Sequence, residues 1–253
     1  MDDLNALVIL QARMGSSRLP GKVMLPINGK PMIYWQLERI KQSKCIDGIV
    51  VATSTDSSDD QLADFLISTG VEVVRGPLTN VAVRFSMVVD KFKPKNFIRL
   101  TGDCPFVMPE LIDSMLKVFN EKDVDYLSNT SKPMYPDGLD IEIVRSESFL
   151  SLLKFELSDS EKEHVTLGIY TRPKVFTLAS FSFEKDLSNL RWTVDYPEDY
   201  AFVVKIFAHF QNREFEFGLK ELIDFLSSES APKNSISGEL RNESLKNLLN
   251  GRE

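Results

Sequence analysis

Residues 6–22 read ALVILQARMGSSRLPGK, and this stretch decides the fold class. Five consecutive apolar residues lead through Gln11 into a loop that contains glycines, serines and three cations. An apolar run of strand length followed by such a loop is typical of a buried strand with a ligand site at its carboxyl end. The cations Arg13, Arg18 and Lys22 indicate that this ligand is an anion.

Apolar runs of strand length alternate with helix-period segments through the first half of the chain. We predict strands over 6–11, 48–53, 71–74 and 97–101, and helices over 31–44, 61–68 and 81–92. Strands that are apolar on both faces and separated by helices form a parallel sheet covered on both sides. The chain is therefore predicted to have an α/β fold.

The second half of the chain has a less regular pattern. We predict strands over 140–144 and 175–183, helices over 146–155, 160–170 and 200–210, and a short strand ending just before Asp195. From Ser227 the composition becomes polar and rich in serine, asparagine and glutamate. We expect a single domain over 1–226, because no linker precedes that point, and a weakly packed polar tail over 227–253 with one short helix.

The composition excludes several classes of function. A chain of 253 residues with 43% hydrophobic residues has the composition of a soluble globular protein, and its net charge of −7 argues against binding nucleic acid or a membrane surface. The two cysteines form no CxxC pair, so we expect no disulfide framework or zinc site. The acidic N-terminus and the lack of an apolar run of about 20 residues predict a cytoplasmic protein without a signal peptide or membrane span.

The cationic loop has the chemistry of a phosphate site. Gly15, Ser16 and Ser17 allow backbone N–H groups to turn inward, and the neighbouring cations can donate to phosphate oxygens. The sequence of this loop matches neither the Walker A motif nor the GxGxxG dinucleotide-binding motif. From composition alone, a solvated surface loop remains the alternative.

Residues 10–35, LQARMGSSRLPGKVMLPINGKPMIYW, resemble the opening of the nucleotidyltransferase superfamily that activates sugars with nucleoside triphosphates. This sequence is similar to that of CMP-Kdo synthetases, and it is closer to that of the cytidylyltransferase-like family of spore coat polysaccharide biosynthesis protein F. CMP-sialic acid synthetases share the plan. Further matching motifs are LTGDCP at 100–105, YPDGLDIE at 135–142, EHVT at 163–166 and WTVDYPED at 192–199.

This resemblance implies a fold and an activity. The fold is the three-layer α/β/α nucleotidyltransferase fold, the Rossmann-like nucleotide-diphospho-sugar transferase type, with a mostly parallel central sheet. The activity is that of a cytidylyltransferase, which couples CTP to a sugar or sugar acid for a surface polysaccharide or glycan and releases pyrophosphate. The alternatives are a nucleotidyltransferase that uses a sugar 1-phosphate and another base, and a GT-A glycosyltransferase with a DxD-like motif at 123–125 or 140–142.

The resemblance also implies a set of nucleotide-binding residues at strand ends and in the loop. They are Gln11, Ala12, Arg13, Gly15, Ser16, Ser17, Arg18, Lys22, Thr53, Arg75 and Thr101. In the Kdo and sialic acid synthetases, aspartates at the positions of Asp103 and Asp195 hold a metal. We therefore expect these two to bind Mg²⁺, with Mn²⁺ as an alternative, and to be catalytic together with Arg13 and Lys22. For Asp195 alone, a helix-capping role is the other interpretation.

The acceptor is expected to meet a second group of residues. Asp140 and Glu142 alternate along a predicted strand and so share one face, where they could hold sugar hydroxyls or be solvated. With His164 they form the predicted substrate-binding set. Because related cytidylyltransferases are dimers, we also expect a homodimer that uses about 134–173, with Tyr135 and Tyr170 exposed.

Overall fold

Residues 4–236, which the computed structural model describes, contain nine strands. They are β1 Ala6–Gln11, β2 Pro26–Ile27, β3 Lys30–Pro31, β4 Gly48–Ser54, β5 Glu72–Gly76, β6 Asn96–Thr101, β7 Tyr126–Ser128, β8 Glu142–Arg145 and β9 Leu178–Ser180. Seven of them form one sheet in the order β5-β4-β1-β6-β8-β7-β9, and β2 and β3 form a small antiparallel hairpin.

The sheet is mostly parallel. Strand β1 lies inside the sheet and pairs in parallel with β4 and β6, and β4 pairs in parallel with β5. Strand β8 runs antiparallel to β6 and β7, and β9 is parallel to β7. The carboxyl ends of β1, β4, β5 and β6 therefore lie at one edge of the sheet, which is where ligands bind in open α/β sheets.

Nine helices within the described residues cover the sheet. They are α1 Met32–Ile40, α2 Asp60–Ser68, α3 Val81–Phe92, α4 Pro109–Lys122, α5 Ser146–Leu152, α6 Asp159–Glu163, α7 Leu167–Tyr170, α8 Pro197–His209 and α9 Leu219–Leu226. Strand β1 is apolar on both faces because Val8 and Leu10 pack into one buried cluster and Leu7 and Ile9 into another. This arrangement confirms the predicted α/β fold with helices on both faces of a mostly parallel sheet.

Several predicted elements differ in extent. The predicted helix over 160–170 is interrupted between α6 and α7, where Val165 has a left-handed backbone with φ of 44°. The predicted strand over 175–183 is reduced to β9, and the strand predicted before Asp195 does not form. Instead, the backbone N–H of Val194 donates to the carbonyl of Asp103 at 2.9 Å, which ties this segment to the loop after β6.

The predicted polar tail is described only over 227–236. In this part, the side-chain amide of Asn234 donates to the carbonyl of Arg191 at 3.2 Å and to Asp199 Oδ1 at 2.9 Å. The rest of the predicted tail lies outside the described residues, and the domain boundary at residue 226 stays a prediction. Over 4–236, none of the helices combines the length and apolar character needed to cross a membrane.

Candidate nucleotide-binding site

A cavity of about 260 Å³ opens where β1 and β6 end. It is lined by Gln11, Ala12, Arg13, Gly15, Ser16, Ser17, Arg18, Lys22, Val23, Thr101, Gly102, Asp103 and Asp195. Every predicted nucleotide-binding residue except Thr53 and Arg75 is part of this lining, together with both predicted metal ligands. The two aspartates and the cationic loop, far apart in the chain, therefore share one cavity.

The loop after β1 is held in place by its backbone. The N–H of Met14 donates to Asp59 Oδ1 at 2.6 Å, and the N–H of Gly21 donates back to the carbonyl of Met14 at 2.9 Å. Gly21 has a left-handed backbone with φ of 69°, which glycine adopts without strain and which starts the 3₁₀ turn Lys22–Met24. The turn brings the side chain of Lys22 under the loop and into the cavity.

Lys22 joins the two predicted metal ligands. Its Nζ atom lies 3.0 Å from Asp103 Oδ2 and 2.8 Å from Asp195 Oδ1. Burial by itself lowers the pKa of Lys22, but the two carboxylates outweigh burial, so the pKa is raised. Lys22 is therefore a cation at neutral pH.

Both aspartates are ionised at neutral pH. Burial raises the pKa of Asp103, yet Lys22 and the Thr101 hydroxyl together hold it well below its ordinary value. For Asp195, burial and the Asp103 charge raise the pKa, and Lys22 and Arg18 bring it below the ordinary value. Two carboxylate charges thus converge on one ammonium group.

Arg191 completes this group and was not among the predicted site residues. Its guanidinium donates to Asp195 Oδ2 at 2.9 Å, to Asp199 Oδ1 at 3.0 Å and to Asp137 Oδ2 at 2.8 Å. Arg18 lies 3.0 Å from the other oxygen of Asp195. We call Lys22, Arg18, Asp103, Asp195 and Arg191 the Lys22 cluster. The four-residue spacing of Arg191, Asp195 and Asp199 was the signal available in the sequence.

Asp199 provides the helix capping that had been the alternative role for Asp195. Asp199 Oδ2 accepts from the backbone N–H groups of Asp195 at 3.0 Å and Tyr196 at 3.1 Å, just before α8 begins. The carboxylate of Asp195 is instead directed to Lys22, Arg18 and Arg191. Its position beside Asp103 is therefore set by ion pairs and by the Val194 backbone contact, not by a strand end.

The two remaining predicted nucleotide contacts lie outside the cavity lining. Thr53 is buried in β4, and its hydroxyl has no hydrogen-bond partner among the described residues. Arg75 donates to the carbonyl of Ser54 at 2.7 Å and lies 2.6 Å from Asp60 Oδ1. Their roles in nucleotide binding stay predictions.

The predicted acceptor residues are arranged differently from the expected shared strand face. Strand β8 begins at Glu142, so the prediction that Asp140 and Glu142 alternate along one strand is wrong. Glu142 is buried and accepts from the hydroxyls of Tyr126 at 2.6 Å and Thr166 at 2.5 Å, and from Arg99. We call Arg99, Glu142, Tyr126 and Thr166 the Arg99 cluster.

His164 lies between the end of α6 and the turn at Val165. Burial, with the nearby charge of Arg99, lowers the pKa of the imidazole below its ordinary value. It is therefore neutral at pH 7. Its contact with an acceptor stays a prediction.

Three other residues that the sequence analysis considered are buried or partly buried. Tyr135 is buried against Phe181 and Phe183, so its predicted exposure is wrong. Tyr170 is partly buried, and burial raises its pKa to about 12. Cys104 is buried, and burial raises the pKa of its thiol well above the ordinary value, which excludes a reactive thiolate.

One of the candidate DxD motifs lies away from the cavity. Asp123 and Asp125 precede β7 and pair with Arg145, with shortest distances of 2.6 and 3.8 Å. Since β7 runs in the same direction as β6, these residues lie at the amino ends of the strands, opposite the Lys22 cluster. This geometry does not support a metal site for glycosyl transfer at 123–125.

Comparison with known proteins gives a consistent result. The sequence model of a family described as cytidylyltransferase matches residues 7–230. Spore coat polysaccharide biosynthesis protein SpsF of Bacillus subtilis (strain 168) is 34% identical over 234 residues, which cover 90% of this chain and 95% of that protein. A 3-deoxy-manno-octulosonate cytidylyltransferase of Anaeromyxobacter sp. (strain K) is 36% identical over 112 residues, 43% of this chain and 45% of that protein.

A solved structure extends the comparison to three dimensions. The structure of a cytidylyltransferase from Leptospira borgpetersenii serovar Hardjo-bovis (strain JB197) superposes with a TM-score of 0.83 at 29% identity. The match covers 88% of this chain and 94% of that one.

Proposed function

This chain belongs to the cytidylyltransferase family and is a nucleotidyltransferase, and we propose that it transfers the cytidylyl group of CTP to a sugar or sugar acid. The observation that carries this proposal is the pairing of two ionised aspartates with Lys22 beneath a cationic, glycine- and serine-rich loop. The similar SpsF protein is named for spore coat polysaccharide biosynthesis, and the octulosonate enzyme is named for a sugar acid. These names support an acceptor of the same class in the synthesis of a surface polysaccharide or glycan.

The loop supplies the contacts for the triphosphate. Arg13 lies 3.8 Å from Glu163, Arg18 lies 3.0 Å from Asp195, and both arginine side chains are partly exposed. Phosphate oxygens accept charge-assisted hydrogen bonds from guanidinium groups as carboxylates do, so a triphosphate can replace these partners. The arginines then bind and orient the phosphates over Lys22.

Asp103 and Asp195 would hold a divalent metal, Mg²⁺ or Mn²⁺. Within residues 4–236, no cluster of three or more histidine, cysteine, aspartate or glutamate side chains could hold a metal ion. Mg²⁺ is commonly held by one or two carboxylates and completes its shell with water and phosphate oxygens, so this donor set fits. A bound metal would offset negative charge on the phosphate oxygens.

The chain's own residues provide positioning and electrostatic stabilisation. An oxygen of the acceptor attacks the α-phosphorus, and the bond to the leaving pyrophosphate breaks. Lys22 is cationic and pre-oriented by two aspartates, so it donates to phosphate oxygens as their charge increases. Transfer by direct attack needs no protein nucleophile, in agreement with the buried, protonated thiol of Cys104.

CTP is the preferred nucleotide under this proposal, and UTP is second. Ala12 is buried where β1 ends, and its N–H lies 3.3 Å from the carbonyl of Ala52 on β4. The methyl group of Ala12 and the long side chain of Arg13, which both line the cavity, leave less room than glycines would and so support a pyrimidine over the larger purine ring. CTP with Mg²⁺ should raise the melting temperature more than GTP or ATP does.

Pyrophosphate release tests the whole proposal. The purified protein is incubated with each of four nucleoside triphosphates and a panel of sugar acids and sugar phosphates, with Mg²⁺ or with excess chelator. We expect release with CTP, an acidic sugar and Mg²⁺. Release should be lost in Lys22→Met but kept in Lys44→Met, a change at an exposed lysine that follows the end of α1. Release that requires GTP or ATP, or that continues in excess chelator, would contradict the proposal.

The enzyme is also proposed to be a homodimer through 134–173. Tyr135 is too buried to contribute, but Phe155 within this segment is 43% exposed. Light scattering at micromolar concentration should give twice the chain mass, and Phe155→Ser should shift the protein towards the monomer. If the unsubstituted protein is a monomer, the proposed dimer is refuted, but the proposed activity is not affected.

A further inference from the structure

The Arg99 cluster reaches the nucleotide cavity through one side chain, Gln11. Arg99 lies on β6 two residues before Thr101, so the two side chains share a face of that strand. The Nη1 atom of Arg99 donates to Glu142, and its Nη2 atom lies 3.3 Å from Oε1 of Gln11, which lines the cavity. Its Nε atom is buried and has no hydrogen-bond partner among the described residues.

Glu142 is fully engaged in holding Arg99. Its side chain is 9% exposed, and its two oxygens accept from Arg99, Tyr126 and Thr166. A buried carboxylate with three donors is fixed in position, and it fixes the guanidinium paired with it. Glu142 therefore fixes the position of Arg99.

The guanidinium determines the orientation of the Gln11 amide. Arginine carries only hydrogen-bond donors, so the atom of Gln11 that faces it must be the oxygen. The amide nitrogen, which is a donor, then points in another direction from the same carbon atom. Gln11 is part of the cavity lining and its oxygen faces Arg99, so the amide nitrogen is the group that is left to donate to a bound molecule.

We infer that Gln11 Nε2 donates to a carboxylate oxygen of the acceptor and that Arg99 and Glu142 are positioning residues for this contact. This inference rests on the proposed function and names the residue that recognises the acceptor. The side chain of Gln11 is held from β6, β8 and β7, on the opposite side of β1 from Thr53 and Arg75, two of the predicted nucleotide contacts on β4 and β5. We therefore assign this side chain to the acceptor, in place of the nucleotide contact that the sequence predicts for Gln11. A carboxylate oxygen accepts hydrogen bonds and does not donate them, so it matches a fixed donor.

The experiment compares Michaelis constants for the two substrates. The probe is CTP with 3-deoxy-manno-octulosonate or N-acetylneuraminate, whichever supports more pyrophosphate release in the unsubstituted protein. Gln11→Met keeps the side-chain length and removes the donor. We expect the acceptor KM to rise about tenfold to a hundredfold, as for loss of a hydrogen bond to a charged group, with the KM for CTP unchanged. Gln61→Met, on the exposed face of α2, is the matched control.

A double-mutant cycle tests the positioning role. Arg99 contacts both Gln11 and Glu142 and so connects them, whereas a purely structural role of Glu142 predicts additive effects of Gln11→Met and Glu142→Gln. Positioning predicts that Glu142→Gln raises the acceptor KM in the unsubstituted background and has little further effect in the Gln11→Met background. Additive effects, or a change in the KM for CTP in place of that for the acceptor, would overturn the inference.

A measurement without substrate keeps the inference independent of the proposed function. The side-chain ¹⁵N amide resonance of Gln11, identified by its absence in Gln11→Met, should be sharp in the unsubstituted protein and shift or broaden in Glu142→Gln. An unchanged resonance would overturn the positioning role. If no acceptor supports release while the resonance responds as expected, the proposed function fails and the coupling of the three residues stands.

Discussion

The Lys22 cluster and the Arg99 cluster are two ionic groups beside the same cavity, and they differ in openness and in charge balance. The Lys22 cluster is partly open, since the side chains of Arg18 and Asp103 are 32% and 27% exposed. In the Arg99 cluster the corresponding fractions are 15% for Arg99 and 9% for Glu142. The open cluster joins several aspartates to several cations, whereas the closed one pairs one carboxylate with one guanidinium and two hydroxyls.

This difference indicates two roles for buried charge. In the Lys22 cluster, Lys22 and Arg18 both contact the Oδ1 atom of Asp195, so Arg18 can turn to a phosphate while Lys22 still satisfies the carboxylate. In the Arg99 cluster, loss of one partner leaves a buried charge unpaired, which is costly. The first arrangement suits exchange with a ligand, and the second suits holding a fixed geometry.

The largest effect is expected from removing a charge in the open cluster. Asp103→Asn and Asp195→Asn should each reduce kcat by about a thousandfold, because stabilisation of phosphate charge is worth several kcal/mol. Pyrophosphate release under saturating CTP measures this effect. Asp64→Asn, on the exposed side of α2, should keep full activity. Near-normal turnover in both site variants would show that Asp103 and Asp195 are not needed for the reaction.

A large effect on stability is expected at Arg191, which is a buried member of the otherwise partly open Lys22 cluster. Its side chain is 2% exposed although it belongs to the open cluster, and it serves three aspartates. Arg191→Met should lower the free energy of unfolding by about 3–5 kcal/mol, as for breaking a buried ion pair. Urea unfolding measures this loss, and Arg213→Met, at a 51% exposed arginine paired with Glu221, should cost at most about 1 kcal/mol. Equal losses in the two variants would remove the distinction between buried and exposed pairs.

Acid should weaken the Lys22 cluster in a defined direction. Burial raises the pKa of Asp103, but Lys22 and Thr101 outweigh it, so the folded-state pKa lies below the ordinary value of about 4. Its contribution to stability is therefore fully present above pH of about 4 and is lost as the pH falls through the lower, folded-state value. Unfolding free energies from pH 6 to pH 2 should fall less steeply in Asp103→Asn than in the unsubstituted protein. Identical slopes would show that this carboxylate is not held ionised.

The smallest effect is expected at Asn234, which contacts the Lys22 cluster from the C-terminal segment. Its amide donates to the carbonyl of Arg191 and to Asp199, so Asn234→Ala should lower the free energy of unfolding by about 1 kcal/mol. Ser235→Ala, at an exposed neighbour, should have no measurable effect. A loss of activity without a loss of stability would assign Asn234 to catalysis in place of packing.

The sequence by itself determined the central part of the fold and most of the cavity. The apolar run at 6–10 and the segment 97–100, which is apolar except for Arg99, predict buried strands, and polar residues that follow neighbouring parallel strands meet at one sheet edge. For this reason the loop cations, Thr101 and Asp103 were placed correctly relative to one another. The family motifs added Asp195, whose role could not be separated from helix capping by local pattern alone.

Only the tertiary structure decided which charges are paired. Arg191 lies between Asp137, Asp195 and Asp199, and it is 54 positions from Asp137 in the sequence. Arg99 lies between Gln11 and Glu142, and it is 88 positions from Gln11. Periodicity reports which residues are buried along one element, but it carries no information about partners on another element. Tyr135 shows the same limit, since its burial depends on Phe181 and Phe183 in a separate segment. The energetic cost of an unpaired buried charge selects these partners, and that selection acts only once distant segments are packed together.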